Sequence, residues 1–213
     1  MYEPVLTVPK SFNPKEAARQ MITSQDIWER DNHTCQYCGM VSHKYQEVNH
    51  LNGNHLDPRA DNMVTICPLC HGCFHLDSRK LNNGTAMLVF LPQIKQADLN
   101  NLLRATFVAI RRGTGDVKAR AIGALKALEI YARPVEKVWG TSSPFEIGNV
   151  LQRTSLGAFV RHRTVMDGLK LVYRPRFIST TVLDYWIDTQ FQKENDLSCW
   201  RLLYDGAFPA VKL

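Results

Sequence analysis

Two short motifs constrain this chain more than any other feature in it: CQYC at residues 35 to 38 and CPLC at residues 67 to 70. A CxxC turn lets two thiolates reach one ion from neighbouring backbone positions. Two such turns complete the tetrahedral four-sulfur shell that structural zinc prefers. Cys35, Cys38, Cys67 and Cys70 are therefore the expected ligands of one zinc ion. Cys73 also makes a CxxC with Cys70, but its use would strand Cys67, so it reads as a buried or reserve thiol.

The surroundings favour metal over disulfides. Five of the six cysteines lie between Cys35 and Cys73, and six of the seven histidines lie between His33 and His75. The opening MYEPVLTVPK lacks the charged-then-apolar order of a signal peptide, and the longest apolar run, AMLVFL at 86 to 91, is too short to span a membrane. A cytoplasmic protein is expected, in a reducing compartment where paired CxxC motifs bind metal. Closing the loop of residues 39 to 66 costs entropy that grows only logarithmically with length. Zinc binding to four thiolates, on the order of 10 kcal/mol, outweighs that cost.

Hydrophobic residues make up 45% of the chain and charged residues 22%, enough for a core and far from the signature of disorder. The formal charge of +6 points weakly to an anionic partner, either nucleic acid or an acidic protein surface.

Along the chain, LTV at 6 to 8 could form a strand, and KEAARQMITSQDIWER at 15 to 30 reads as a helix stopped near Asn32. Turns are expected at NGN, 52 to 54, and DPRADN, 57 to 62, and a strand at TAMLVFLP, closed by Pro92. Leu99, Leu102, Leu103, Phe107 and Ile110 recur at helical spacing, GTG breaks that helix, and Val117, Ala121, Ala124, Leu125, Leu128 and Ala132 predict a second one ended by Pro134. Both stripes read as core packing in a helical hairpin. A short helix near PFEIGNVLQ and a final helix in STTVLDYWIDTQFQKEND, capped by Ser179 or Thr180, complete the pattern. Residues 151 to 176 hold six Arg or Lys against one Asp, either a solvated basic face or a site for an anion or acidic partner.

Val48-Asn49-His50-Leu51, then Asp61-Asn62-Met63, with His71 directly after Cys70, resembles the HNH endonuclease finger. The resemblance implies a ββα unit in which His50 is the general base that activates water and Asn62 orients it. Asn49 and His71 would then hold a divalent ion on the cleaved phosphate. Asn49 departs from the aspartate of that family: its amide brings no charge to a hard cation. The lysine common beyond the CxxCH is also missing, the run continuing as GCFHLD. A nuclease-derived structural finger is therefore expected, with a metal-dependent HNH-type endonuclease as the alternative; His50 also reads as a hairpin histidine bonded within the finger.

A second likeness runs further. RDNHTCQYCGM, QEVNHLNGN, the CxxCxxCF run at 67 to 74 and LVFLPQIKQADLNNLL at 88 to 103 together resemble the IcmJ/DotN family of the Dot/Icm type IVB secretion system. This implies a non-enzymatic cytosolic subunit that binds the carboxy-terminal extension of a DotL-like coupling ATPase. Through it the subunit would meet DotM-like and IcmS/IcmW-like proteins, touch the membrane only indirectly and have no nucleic-acid ligand.

The fold class expected is α+β, an HNH-like ββα zinc-finger module combined with a mainly α-helical body. Residues 1–95 would form the zinc-binding module with a flanking helix and strand, and residues 96–213 a mainly helical region packed on it.

Overall fold

The computed structural model describes residues 2–7, 22–82, 84–153, 166 and 168–191. It divides into one unit over Met1–Ile178 and a second over Ser179–Leu213. The architecture is α+β, with helices around two separate antiparallel two-stranded sheets.

The first helix, α1 (Ser24–Arg30), starts where Thr23 and Asp26 form a reciprocal capping box. The expected part of this helix before residue 22 lies outside the described residues. Its end is as the sequence implies: Asn32 and His33 take left-handed φ values of 49° and 52°. A hairpin follows from β1 (Glu47–His50) to β2 (Met63–Ile66), with Asn49 opposite Val64 and His50 opposite Met63. The next element is the short helix α2 (Pro68–His71), so strand, strand and helix follow in the expected order. Leu6 and Thr7 form no strand, but Thr7 bonds the backbone of Cys73 and Leu76, which ties the start of the chain to the end of this module. Val8 lies outside the described residues.

The second sheet pairs β3 (Ala86–Phe90) with β4 (Leu169–Tyr173), Leu88 facing Leu171. All five residues of β4 are buried, so both faces of the strand are covered and apolar side chains fill four of its five positions, with Lys170 as the exception. β4 corrects the view of residues 151 to 176 as one basic face. Lys170 is buried within the strand, and Arg174 and Arg176 bond the Gly84 carbonyl while Arg174 also pairs with Glu129 at 3.0 Å. Residues 154–165 and 167 of that stretch lie outside the described ones.

Between these strands run α3 (Gln96–Arg112), α4 (Gly115–Glu129), α5 (Arg133–Trp139) and α6 (Pro144–Arg153). α3 buries Leu99, Leu103 and Phe107 completely, packs on β4 and α2, and α4 folds back against it. Two expectations fail here. Pro134 does not end the second helix but occupies the first turn of α5, where its missing N–H costs nothing. The stripe of α4 is also no core stripe: α4 buries none of its residues, and of the six residues expected only Ala132, past the helix end, is buried. The helix packs mainly on α3 and only lightly on β3, so it sinks a narrow seam.

α6 lies against the loop after α2. A Cβ at Gly148 would fall 2.6 Å from the Leu76 carbonyl carbon, so only glycine permits this approach. In the second unit, Ser179 caps α7 (Thr180–Gln190) by accepting from the Val182 amide, and Leu183, Trp186 and Ile187 are its buried residues. Residues 192–196 of the expected helix lie outside the described ones.

Candidate metal centre

The first CxxC sits in a tight knuckle. Thr34 and Val41 bridge, the Cys35 amide bonds the Met40 carbonyl at 2.8 Å and the Gly39 amide bonds that of Cys35 at 2.9 Å. Closing this turn needs φ +74° at residue 39, a conformation open to glycine without strain. The Gln36 amide bonds the Thr65 carbonyl at 2.9 Å, anchoring the knuckle to β2. The second pair comes from a helix start: extended Cys67 precedes α2 and Cys70 lies inside it.

These two local structures bring the sulfurs of Cys35, Cys38, Cys67 and Cys70 within 4.8 Å of one another, a group that could hold a metal ion. Cys38 and Cys67 sulfurs are 3.6 Å apart, against about 3.8 Å for a tetrahedral shell with 2.3 Å metal–sulfur bonds. The cluster is sealed, and no disulfide links it. Burial drives the Cys67 thiol well above its ordinary value, and the bonds with Cys35 and Cys38 push the same way. A bound cation reverses that balance, because coordination holds a thiol deprotonated.

α3 supplies the groups that face this charge. Asn100 donates from Nδ2 to the Cys70 sulfur at 3.3 Å. One turn later, Arg104 donates from Nη2 to Cys38 at 3.4 Å and to Cys67 at 3.5 Å. Burial works against the Arg104 charge, but the thiolates of Cys67 and Cys38 outweigh it and leave the guanidinium more firmly protonated. Asn101, beside Asn100, donates to the Cys38 carbonyl at 3.2 Å and accepts from Arg104 Nη1 at 2.8 Å. The Asn100 amide is itself oriented by Gln96, whose Nε2 donates to Asn100 Oδ1 and to the Leu171 carbonyl, each at 2.9 Å. Gln96 Oε1 accepts from the Leu171 amide at 2.8 Å, so this side chain pairs with β4 as a neighbouring strand would. A continuous polar chain thus runs from β4 to the sulfur of Cys70.

Sequence reading missed Gln96, Asn100 and Arg104, although polar residues recurring at four-residue spacing beside the apolar positions of α3 were a usable signal.

Cys73 stands outside the cluster as expected for a buried thiol. Its sulfur donates to the Leu69 carbonyl at 3.5 Å and lies 3.7 Å from the Tyr173 hydroxyl; burial pushes the thiol up to about 12. Tyr173 donates to the same Leu69 carbonyl at 2.5 Å, clamping α2 to β4 across a long sequence separation.

The residues assigned to a nuclease are arranged differently from that expectation. Asn49 is buried and its Nδ2 donates to the Tyr37 hydroxyl at 2.7 Å, while His71 Nδ1 pairs with Glu47 at 2.5 Å. His71 thus takes its carboxylate from Glu47 and not from residue 49. Asn62 holds the turn before β2, accepting from the Asn52 amide at 3.0 Å and donating to the Asp57 carbonyl at 3.2 Å. Its shallow depression is lined by Leu51, Asn52, Arg59, Asp61 and Asn62, with neither His50 nor His71 in it. His50 Nδ1 is buried with no hydrogen-bond partner among the described residues, and burial lowers its pKa.

No family model matches the chain. The chain is similar to the type 4 apparatus protein DotN. That protein comes from Legionella pneumophila subsp. pneumophila strain Philadelphia 1, and the two are 35% identical over 130 residues. The match covers 60% of this chain and spans 60% of the length of DotN. An alignment of that length exceeds the stretch holding both CxxC pairs, so the likeness to DotN involves more than a zinc-finger motif.

Among the described residues, no helix is long and apolar enough to cross a membrane.

Proposed function

We propose that this protein is a non-enzymatic, zinc-containing subunit of a type IVB secretion coupling complex. In this reading it binds the carboxy-terminal extension of a DotL-like coupling ATPase and helps to assemble the complex or recruit its substrates. The observation that carries the reading is the 35% identity to DotN over 130 residues. The sealed four-cysteine cluster supports the structural part: a zinc ion there has no open coordination position facing solvent and so serves folding, not chemistry. The protein would act in the cytoplasm and reach the membrane through its partners. Co-purification of the full chain with the isolated tail of the coupling ATPase tests this. Binding at micromolar concentration is expected, and no binding at that concentration would reject the partner.

The second reading is a metal-dependent HNH-type endonuclease, favoured by His71 lying near enough to His50 to act on it electrostatically. Against it stands Asn49, whose amide brings no charge to a hard cation and whose Nδ2 donates to Tyr37. Supercoiled plasmid incubated with the protein and Mg²⁺, Mn²⁺ or Ni²⁺ is expected to stay intact. Nicking that disappears in His50→Ala would establish the nuclease.

A further inference from the structure

The helical run after α3 shows solvent an apolar face that its own packing does not use. From Gly115 to Trp139 the backbone stays helical: α4 passes through a 3₁₀ turn at Ile130–Ala132 into α5, and Glu129, Ile130, Ala132 and Arg133 all keep right-handed dihedrals. The inner seam of Val117, Ala121, Leu125, Leu128, Ala132 and Val135 is half-buried to buried. Away from it, Ile130, Tyr131 and Val138 are 56%, 43% and 70% exposed. At 3.6 residues per turn, Gly123, Ala127, Ile130, Pro134 and Val138, spaced four, three, four and four residues apart, form one row on that outer side, with Tyr131 beside it. Scattered apolar residues on a surface need no explanation, but a contiguous row marks an interaction site.

Gly123 sharpens this point. Glycine inside a helix weakens it relative to alanine, and a Cβ added at Gly123 would meet nothing within 4 Å. The packing of this chain thus gives no reason for a glycine there. On an exposed helix face it lets the backbone of an approaching helix come close, and Ala127 one turn later extends the same shallow lane.

Charge selects the occupant. Arg120, Lys126, Arg133 and Lys137 border the row and are all exposed. The two glutamates of the run are engaged by this chain's own groups: Glu129 pairs with Arg174 at 3.0 Å, and Glu136 accepts from the Ser142 hydroxyl at 2.8 Å. A second copy of this face would set the cations against one another. A lipid surface is entered by bulky Trp, Phe or Leu, none of which stands in the row. Nucleic acid would meet the cations and leave the apolar side chains unused.

We propose that this face docks an acidic amphipathic helix of another protein, whose apolar edge lies along Gly123, Ile130 and Val138 and whose carboxylates meet Arg120, Lys126, Arg133 and Lys137. The surface is independent of the secretion reading, since its partner is defined by chemistry alone.

The test uses the full chain and two synthetic helical peptides, each about five turns long, with leucine on one face and either glutamate or lysine on the rest. In fluorescence anisotropy the glutamate peptide is expected to bind at micromolar concentration, more weakly as salt is raised, and at least about tenfold more weakly in Ile130→Asp and Val138→Asp. Gly123→Leu should weaken binding as much while raising the urea midpoint of the protein, because leucine favours a helix and only the approach of the partner suffers. It decides the matter should the aspartate variants fail to fold. No binding of the glutamate peptide at micromolar concentration, equal binding of the lysine peptide, or undiminished binding in Gly123→Leu overturns the proposal. A dimer in sedimentation that Val138→Asp dissolves would give the face to a second copy, and capture by phosphatidylserine vesicles that Val138→Asp abolishes would give it to a membrane; either result also overturns it.

Discussion

Asn100 points its Nδ2 at the sulfur of Cys70, 3.3 Å away, while its own oxygen is held by Gln96 at 2.9 Å. The cysteine cluster is therefore completed by a helix that carries none of its ligands. An N–H donor spreads the charge of a thiolate, and removing such an outer partner lowers metal affinity by about 10 to 100-fold. Asn100→Ala is expected to lose zinc to a chelator at a concentration about tenfold lower than the wild type needs. Asn100→Asp should be worse, since it sets a carboxylate against a thiolate. Competition with a chromogenic chelator measures both, and unchanged affinity in both variants would show that the contact is idle.

Arg104 reaches two sulfurs from one guanidinium nitrogen, and it is buried. Removing one partner from a buried charged group costs about 3 to 5 kcal/mol. Arg104→Met is expected to lower the unfolding free energy measured in urea by that order, and Arg104→Lys to recover little, because an ammonium lacks the planar fork that also holds Asn101. Full recovery by lysine would reduce the role of Arg104 to its charge alone.

The cysteines should separate cleanly. Cys70→Ser is expected to drop the metal content from one zinc ion per chain toward none and to lose soluble protein, whereas Cys73→Ser should keep the ion and show only a modest loss of stability. Elemental analysis of both purified variants settles the ligand set; a Cys73→Ser protein without zinc would move Cys73 into it.

Gly72 and Tyr173 form a coupled pair. A Cβ at residue 72 would meet the Tyr173 hydroxyl at 2.5 Å, the same hydroxyl that bonds the Leu69 carbonyl. Gly72→Ala should destabilise the protein by about 1 to 3 kcal/mol through overpacking, and Tyr173→Phe by about 1 kcal/mol through the lost bond. Combined, they should cost less than the sum, because phenylalanine vacates the contested space. Additive losses in denaturant titrations would show that the two do not interact.

The identity of the cluster was legible because spacing alone dictates it: two CxxC turns can converge on one ion whatever surrounds them. The α+β class, the strand at 86 to 90 and the start of α3 were legible for a similar reason, since each follows from local periodicity or a breaking residue. β4 was hidden because a strand buried on both faces does not alternate, and its Lys170 made it resemble surface. The exposed character of α4 was equally hidden, because periodicity tells which residues share a face and not whether another element covers that face.

For this protein, then, the sequence by itself determined the four thiols, the turns between them and the start of α3, while the hairpin was expected only from the resemblance to the HNH finger. Only the tertiary structure decided what surrounds the four sulfurs. That Asn49 bonds Tyr37, that Glu47 and not residue 49 pairs with His71, and that Asn100 and Arg104 face the sulfurs all depend on how separate elements pack. Such contacts join residues far apart in the chain, and no local pattern of polarity encodes the distance between them.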